Sequence, residues 1–185
     1  MKPEFELTPG IENKKKAWLQ ELASFIVEAN NNTWAVNAPE IEPKRPDYKE
    51  PQPYQKGDWE LDDSYTGYFR APGMTTVYYK KRIVWTMQYG GHGQTEGSEY
   101  RAKQTFEFLK SALTQVSPEL PFRGPKEYIR GSQRYNFTLL EGDITDCLWR
   151  EEIYEDNYLT FTQTGLAGIV IHKDKDQSPL YPWDL

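Results

Sequence analysis

The chain has one cysteine, Cys147, so no intramolecular disulfide can form and a reducing compartment suits it. Set in Asp146-Cys147-Leu148 with no base beside it, the thiol reads as a small buried hydrophobe. Histidine is nearly as scarce. His92 and His172 are the only two, far apart and without a second ligand at a metal-binding spacing, so no metal site is expected. Cationic excess is absent as well: 22 Lys and Arg stand against 28 Asp and Glu, a net charge of −6. Binding to a phosphate backbone depends on a cationic surface that releases counterions, so no nucleic-acid partner is expected. The short runs Lys14-Lys15-Lys16 and Lys80-Lys81-Arg82 read as solvated positions at a helix start and a hairpin tip. No stretch approaches the ~20 apolar residues of a membrane span. The opening MKPEFELTPGIENKKK lacks the apolar core of a signal peptide, and the expectation is a soluble, cytoplasmic protein.

Cofactor motifs are missing too. The segment GGHGQTEGSE, residues 90–99, is glycine-rich but has neither the Gly-Lys-Ser/Thr of a phosphate loop nor dinucleotide spacing. Glu96 and Glu99 would repel an anion at the helix start that follows, so the segment reads as a connection and no cofactor is expected. The abundant class is aromatic: 15% of residues, with 6 Trp and 13 Tyr. Such side chains fill cores and also line pockets and interfaces, because each joins an apolar body to a polar tip or a flat face.

At 185 residues the chain is long enough for one domain with a sizeable core. Residues 1–12, with Pro3, Pro9 and Gly10, read as an irregular arm. Trp18, Leu22, Phe25, Ile26 and Ala29 then fall on one face of a helix over residues 17–29, closed by Asn30-Asn31-Asn32. Thr33-Trp34-Ala35-Val36 is a candidate short strand. Five prolines in residues 37–58 exclude an interior strand or helix there and predict a surface strap, with Tyr48 and Tyr54 as anchors.

The stretch from Trp59 to Gly91 organises the rest. Trp59, Leu61 and Tyr65 alternate in a first strand, Thr75, Val77 and Tyr79 in a second, and Ile83, Trp85, Met87 and Tyr89 in a third. Gly67 and Pro72-Gly73 mark the first turn, and Gly90-Gly91-His92-Gly93 breaks the pattern. Ser98 is the expected N-cap of a second helix carrying Ala102, Phe106, Leu109, Leu113 and Val116, stopped by Ser117-Pro118. A shorter proline-rich connection covers residues 118–128. Three more strands follow, through Tyr135 to Leu139, Trp149 to Ile153, and Leu159 to Gln163, the last two joined at Glu155-Asp156-Asn157. Gly165 to Ile171 reads as a loop with a last strand. The tail, 172–185, ends in Leu180-Tyr181-Pro182-Trp183, apolar enough to dock on its own domain or on a partner.

The two strand sets match at an offset of 76, pairing Trp59 with Tyr135, Leu61 with Phe137, Val77 with Ile153, Ile83 with Leu159 and Trp85 with Phe161. An offset of 75 pairs Gly67 with Gly142, Tyr79 with Tyr154 and Gly90 with Gly165, which calls for a bulge between the registers. The expected fold class is α+β: an antiparallel sheet of about six strands with two helices packed on one face, built as a degenerate helix–three-strand repeat. Its halves cover about 17–91 and 98–171.

Several segments resemble an uncharacterised bacterial family of unknown function. They are FIVEANNNTWA, DWELDDSYTGYF, TTVYYKKRIVWTMQYGG, PFRGPKEY, YNFTLLEGDI, EEIYEDNYLTF and TGLAG, in this order over about residues 17–171. Members of that family occur alone or behind helix-turn-helix domains. The resemblance implies the fold class and a bacterial cytoplasmic setting, and supplies no catalytic residues.

Asp62-Asp63 and Glu151-Glu152 are adjacent on strands, so each pair points to opposite faces, and a solvated role is the default. The candidate ligand-binding set is aromatic: Trp59, Tyr65, Trp85 and Tyr89, with Tyr68 and Trp149 beside them and Arg70 to meet an anionic group. The competing role for these rings is core beneath the helices. The reading is a small-molecule-binding, sensor-like module with an aromatic pocket on a twisted sheet. The alternative is a protein-interaction or homo-oligomerising domain that uses the sheet's edge strands, the strap and the tail; no catalytic residues are nominated.

Overall fold

A computed structural model describes residues 9–33, 35, 39–43 and 45–185, and every side chain among them except those of Pro9 and His92. The candidate strand at 33–36 lies outside the described residues in part. Helix α1 runs Pro9–Asn30, starting eight residues before the expected start at Ala17, so residues 9–12 are helix and not irregular arm; Pro9 suits a first helical turn and the polar stretch behind it continues the helix. Trp18, Leu22, Phe25, Ile26 and Ala29 are its buried face. At its end the Asn32 side chain donates to the Glu28 carbonyl and the Thr33 hydroxyl to that of Ala29.

The strap is less irregular than its prolines imply. It carries β1 (Tyr48–Lys49) and β2 (Tyr54–Lys56), separated by Pro51 and Pro53, and both pair with the free edge of β3 (Trp59–Thr66). An edge tolerates proline because only one side of the strand needs hydrogen bonds. β4 (Gly73–Tyr79) and β5 (Arg82–Gly93) follow, then α2 (Glu99–Leu113). The Ser98 hydroxyl accepts from the Arg101 amide, as an N-cap should. Strand β6 (Glu127–Arg130) precedes β7 (Gln133–Asp143), β8 (Asp146–Glu155) and β9 (Tyr158–Ile169).

Among the described residues the main sheet therefore has nine strands, where about six were expected. The additional ones, β1, β2 and β6, are two to four residues long, too short for alternation to register. Gly90–Gly93 and Gly165–Ile169 are strand as well, extending β5 and β9. The main path runs β1-β3-β4-β5-β9-β8-β7-β6, with every ladder antiparallel.

Two hairpins repeat in detail. β4–β5 and β8–β9 both turn through two left-handed residues, Lys80-Lys81 and Asp156-Asn157, and both bulge just before, at Val77/Tyr78 and Ile153/Tyr154. Their last strands meet at the centre of the sheet, where Tyr89 pairs with Gly165, the two positions that the 76-residue offset relates. A pseudo-twofold thus passes between β5 and β9. The first strands of the repeat slip by two: Leu61 faces Val77 as Tyr135, not Phe137, faces Ile153. A bulge at Leu139/Glu141 then brings Gly67 and Gly142, both left-handed, into correspondence. The Tyr79–Tyr154 and Gly90–Gly165 matches have no structural counterpart.

Register places Trp59, Trp85, Phe161, Trp149 and Tyr135 on one face of the sheet, and both helices cover that face. Phe25 of α1 stacks on Trp59 at 5.4 Å, while Phe106 and Phe108 of α2 meet Phe161 and Tyr128 at 6.0 and 5.5 Å. The tail docks on its own domain. After the small hairpin β10 (His172–Lys173) and β11 (Pro179–Leu180), a 3-10 turn at Pro182–Asp184 buries Trp183 edge-on against Trp18. Lys14 bonds Asp184, and Lys80 bonds the carbonyl of Leu185. Among the described residues no helix is long and apolar enough to cross a membrane.

Candidate functional site

The inner face of the sheet is apolar except near the pseudo-twofold, where ionisable side chains occupy inward positions. Asp63 follows Trp59 and Leu61 on the inward side of β3 and is 5% exposed. It accepts from the Thr75 hydroxyl directly across on β4, at 2.7 Å, and from the Tyr89 hydroxyl of β5, at 3.0 and 3.1 Å to its two oxygens. Tyr89 reaches it by lying over Gly73: a Cβ there would come within 2.5 Å of the hydroxyl, so only glycine leaves room. Burial pushes the Asp63 carboxyl up to about 6 in spite of these bonds, and raises the Tyr89 hydroxyl well above its ordinary value.

The second half contributes Glu151, fully buried between Trp149 and Ile153 on β8. The connection that follows α2 supplies its counter-ion. Phe122 stacks on Phe137 at 5.9 Å and anchors the segment, and Arg123 turns inward. Arg123 donates to Glu151 Oε1 through Nε at 3.2 Å and Nη2 at 3.1 Å. Gln163 donates to the same oxygen, while the Tyr135 hydroxyl donates to Oε2 at 2.7 Å and accepts from the Gly124 amide. Both oxygens of this buried carboxylate therefore have donors, three on Oε1 and one on Oε2, and the guanidinium neutralises it, which makes such burial tolerable. This connection was expected to resemble the surface strap; its residues Pro121 to Gly124 are buried instead.

A cavity of about 280 Å³ opens over these groups between α2 and the β3–β4 side of the sheet. Asp63, Arg123 and Gln163 form its polar floor, Tyr65, Tyr68, Tyr89, Phe106 and Phe161 its aromatic walls, and Lys49 and Lys110 stand at the rim. The Arg123 guanidinium lies 5.1 Å from the centre of the Tyr89 ring. A larger groove, about 660 Å³, runs between α1 and residues 118–122. Among the described residues no buried ionisable group faces it, so the smaller cavity is the candidate site.

Of the residues chosen from sequence, Tyr65 and Tyr89 line this cavity, with Tyr68 beside them. Trp59 does not. It belongs to the α1 stack with Phe25, Trp18 and Tyr79, and its indole N–H donates to Glu21 at 2.8 Å. Trp85 is core, its N–H fixed to the Ile144 carbonyl at 3.0 Å, and Trp149 lies over Gly165 in the same core. Arg70 is exposed and paired with Glu96 at 2.7 Å. The solvated default for the carboxylates is overturned for Asp63 and Glu151, and these with Arg123 and Gln163 are the residues that sequence reasoning missed. The signal was parity: both carboxylates occupy slots in rows that are otherwise inward and apolar. Cys147 is buried and its thiol is pushed up by burial to about 11, far from a reactive thiolate. Among the described residues no three of His, Cys, Asp and Glu converge as a metal-ligand set.

No protein with a curated description and no solved structure matches the chain. A family profile matches residues 63–170, from the floor carboxylate Asp63 to the end of β9, and so contains both halves of the polar cluster. The chain belongs to this family, described as a domain of unknown function, DUF5680.

Proposed function

We propose that the protein is a small-molecule-binding, sensor-like module whose site is the aromatic cavity over Asp63, Arg123 and Gln163. One observation carries this reading: in a core otherwise filled by side chains, five aromatic walls converge on a buried carboxylate that has hydrogen-bond donors and, among the described residues, no ion-pair partner. A concave apolar site with a few convergent polar groups and a perturbed carboxyl is the usual form of a ligand pocket. In a bacterial cytoplasm, such a module would report its ligand to a partner or to an output domain such as a helix-turn-helix. The alternative of a protein-interaction or homo-oligomerising domain leans on edge strands, strap and tail; the strap's β1 and β2 pair with β3, and the tail's Trp183 is engaged by the protein's own α1.

A thermal-shift screen with fragments of mixed charge tests the proposal. Hits should raise the melting temperature of the wild-type protein and leave that of Ala71→Trp, whose indole would block the cavity mouth, unmoved. No hits, or equal shifts in both proteins, would overturn it.

A further inference from the structure

The cavity floor carries an uneven charge. Arg123 and Glu151 neutralise one another through two hydrogen bonds, leaving Asp63 as the remaining formal charge on the floor. Among the described residues Arg123 is the cation whose charge acts on Asp63, and the neighbouring Asp62 opposes it. At the rim Lys49 lies 3.7 Å from Glu40 and is exposed, while Lys110 is itself engaged. Thr75 and Tyr89 give Asp63 neutral hydrogen bonds, and Tyr65 adds an aromatic wall close by. A buried carboxylate in this state is stabilised either by taking up a proton or by meeting a cation.

We infer that the ligand of this cavity is a small organic cation, an amine, amidinium or quaternary ammonium ion, placed between the Asp63 carboxylate and the surrounding aromatic faces. The inference rests on the pocket reading above and narrows it to one charge class. Aromatic rings attract a cation through their quadrupole, and more strongly once both are removed from water. A metal ion is a poor fit, because a hard divalent cation needs several oxygen ligands and, among the described residues, no set of acidic groups joins Asp63. A carboxylate or phosphate ligand would have to sit beside Asp63, with the floor cation Arg123 already held by Glu151.

Three probes of similar size but different charge test the inference: phenethylammonium, 2-phenylethanol and phenylacetate, titrated into the full chain and followed by protein NMR. The ammonium ion is expected to bind at least about tenfold more tightly than the alcohol above pH 7, with phenylacetate the weakest. In Asp63→Asn the ammonium should lose its preference. In the wild-type protein the preference should fade as pH drops below about 6, where Asp63 takes up its proton; this decides the question if the variant does not fold. Equal or tighter binding of the alcohol or phenylacetate overturns the charge assignment and leaves the pocket standing. Binding of none of the three counts against both.

Discussion

Replacing Arg123 by methionine removes the counter-ion of a fully buried carboxylate while keeping most of the side-chain volume. Arg123 is 5% exposed and Glu151 is 0% exposed, so water cannot take over the solvation of the orphaned charge. Two hydrogen bonds to Glu151 Oε1 are lost, and only those from Gln163 and Tyr135 remain. Breaking a buried pair from one side costs about 3–5 kcal/mol, against a total stability on the order of 5–15 kcal/mol for a domain. Adding Glu151→Gln removes the stranded charge and leaves a neutral amide that can still accept from Tyr135. The double variant should therefore recover about 1 kcal/mol or more relative to Arg123→Met alone, a sign that a purely steric role for Arg123 would not produce. Urea unfolding with linear extrapolation measures all three proteins on one scale. A loss below about 1 kcal/mol in Arg123→Met, or no recovery in the double variant, would refute the description of this pair as buried and mutually dependent.

Three further outcomes follow from the same structure. Asp63 has its folded-state pKa raised from 3.8 to about 6, so the folded state binds the extra proton and stability falls as pH rises through that window. The Asp63→Asn difference curve isolates this contribution: relative to wild type, the variant should gain about 2 kcal/mol between pH 4 and pH 7, and a flat difference would contradict the assignment. In Gly73→Ala the new methyl meets the Tyr89 hydroxyl at 2.5 Å and the Ser64 carbonyl at 2.6 Å. About 1–3 kcal/mol of stability should be lost in denaturant titrations, with the Asp63 titration seen by NMR displaced. Trp183→Ala empties a site that is 7% exposed against Trp18 and Tyr181, and should cost about 3 kcal/mol in thermal or urea unfolding; unchanged stability would mean that the tail is not docked.

Where the sequence was readable, a repeating apolar period made it so. Trp18 to Ala29 and Ala102 to Leu113 mark helix faces at three- and four-residue steps, and the long strands mark themselves by alternation. Strands β1, β2 and β6 are too short to show a period, and Gly90 to Gly93 hide one because glycine has no side chain to alternate. The repeat was visible in the hairpins, where Val77 and Ile153 each precede a bulge and a two-residue turn. It was misaligned in the first strands, because Trp59, Leu61, Tyr135 and Phe137 are all large, inward and interchangeable to the eye.

The site was half legible. Tyr65 and Tyr89 were chosen as aromatic residues, but Trp59 and Trp85 share that chemistry and are packed as core; composition cannot separate a ring that faces a cavity from one that faces another ring. Asp63 and Glu151 were read as solvated members of adjacent acidic pairs that point to opposite faces, although strand parity already placed one member of each pair inside. Arg123 had no signal of its own. Its place depends on Phe122 docking against Phe137 and on the Gly124 amide reaching Tyr135, tertiary contacts that leave no periodic trace in the sequence.

Native mass spectrometry of the protein freshly purified from its own host tests the pocket most directly. The account predicts a mass above that of the 21.7 kDa chain by the weight of a small molecule, lost on denaturation and missing from Ala71→Trp. A bare chain mass or an integer multiple of it, or an extra mass retained equally by the blocked variant, would contradict the claim that this cavity holds a ligand.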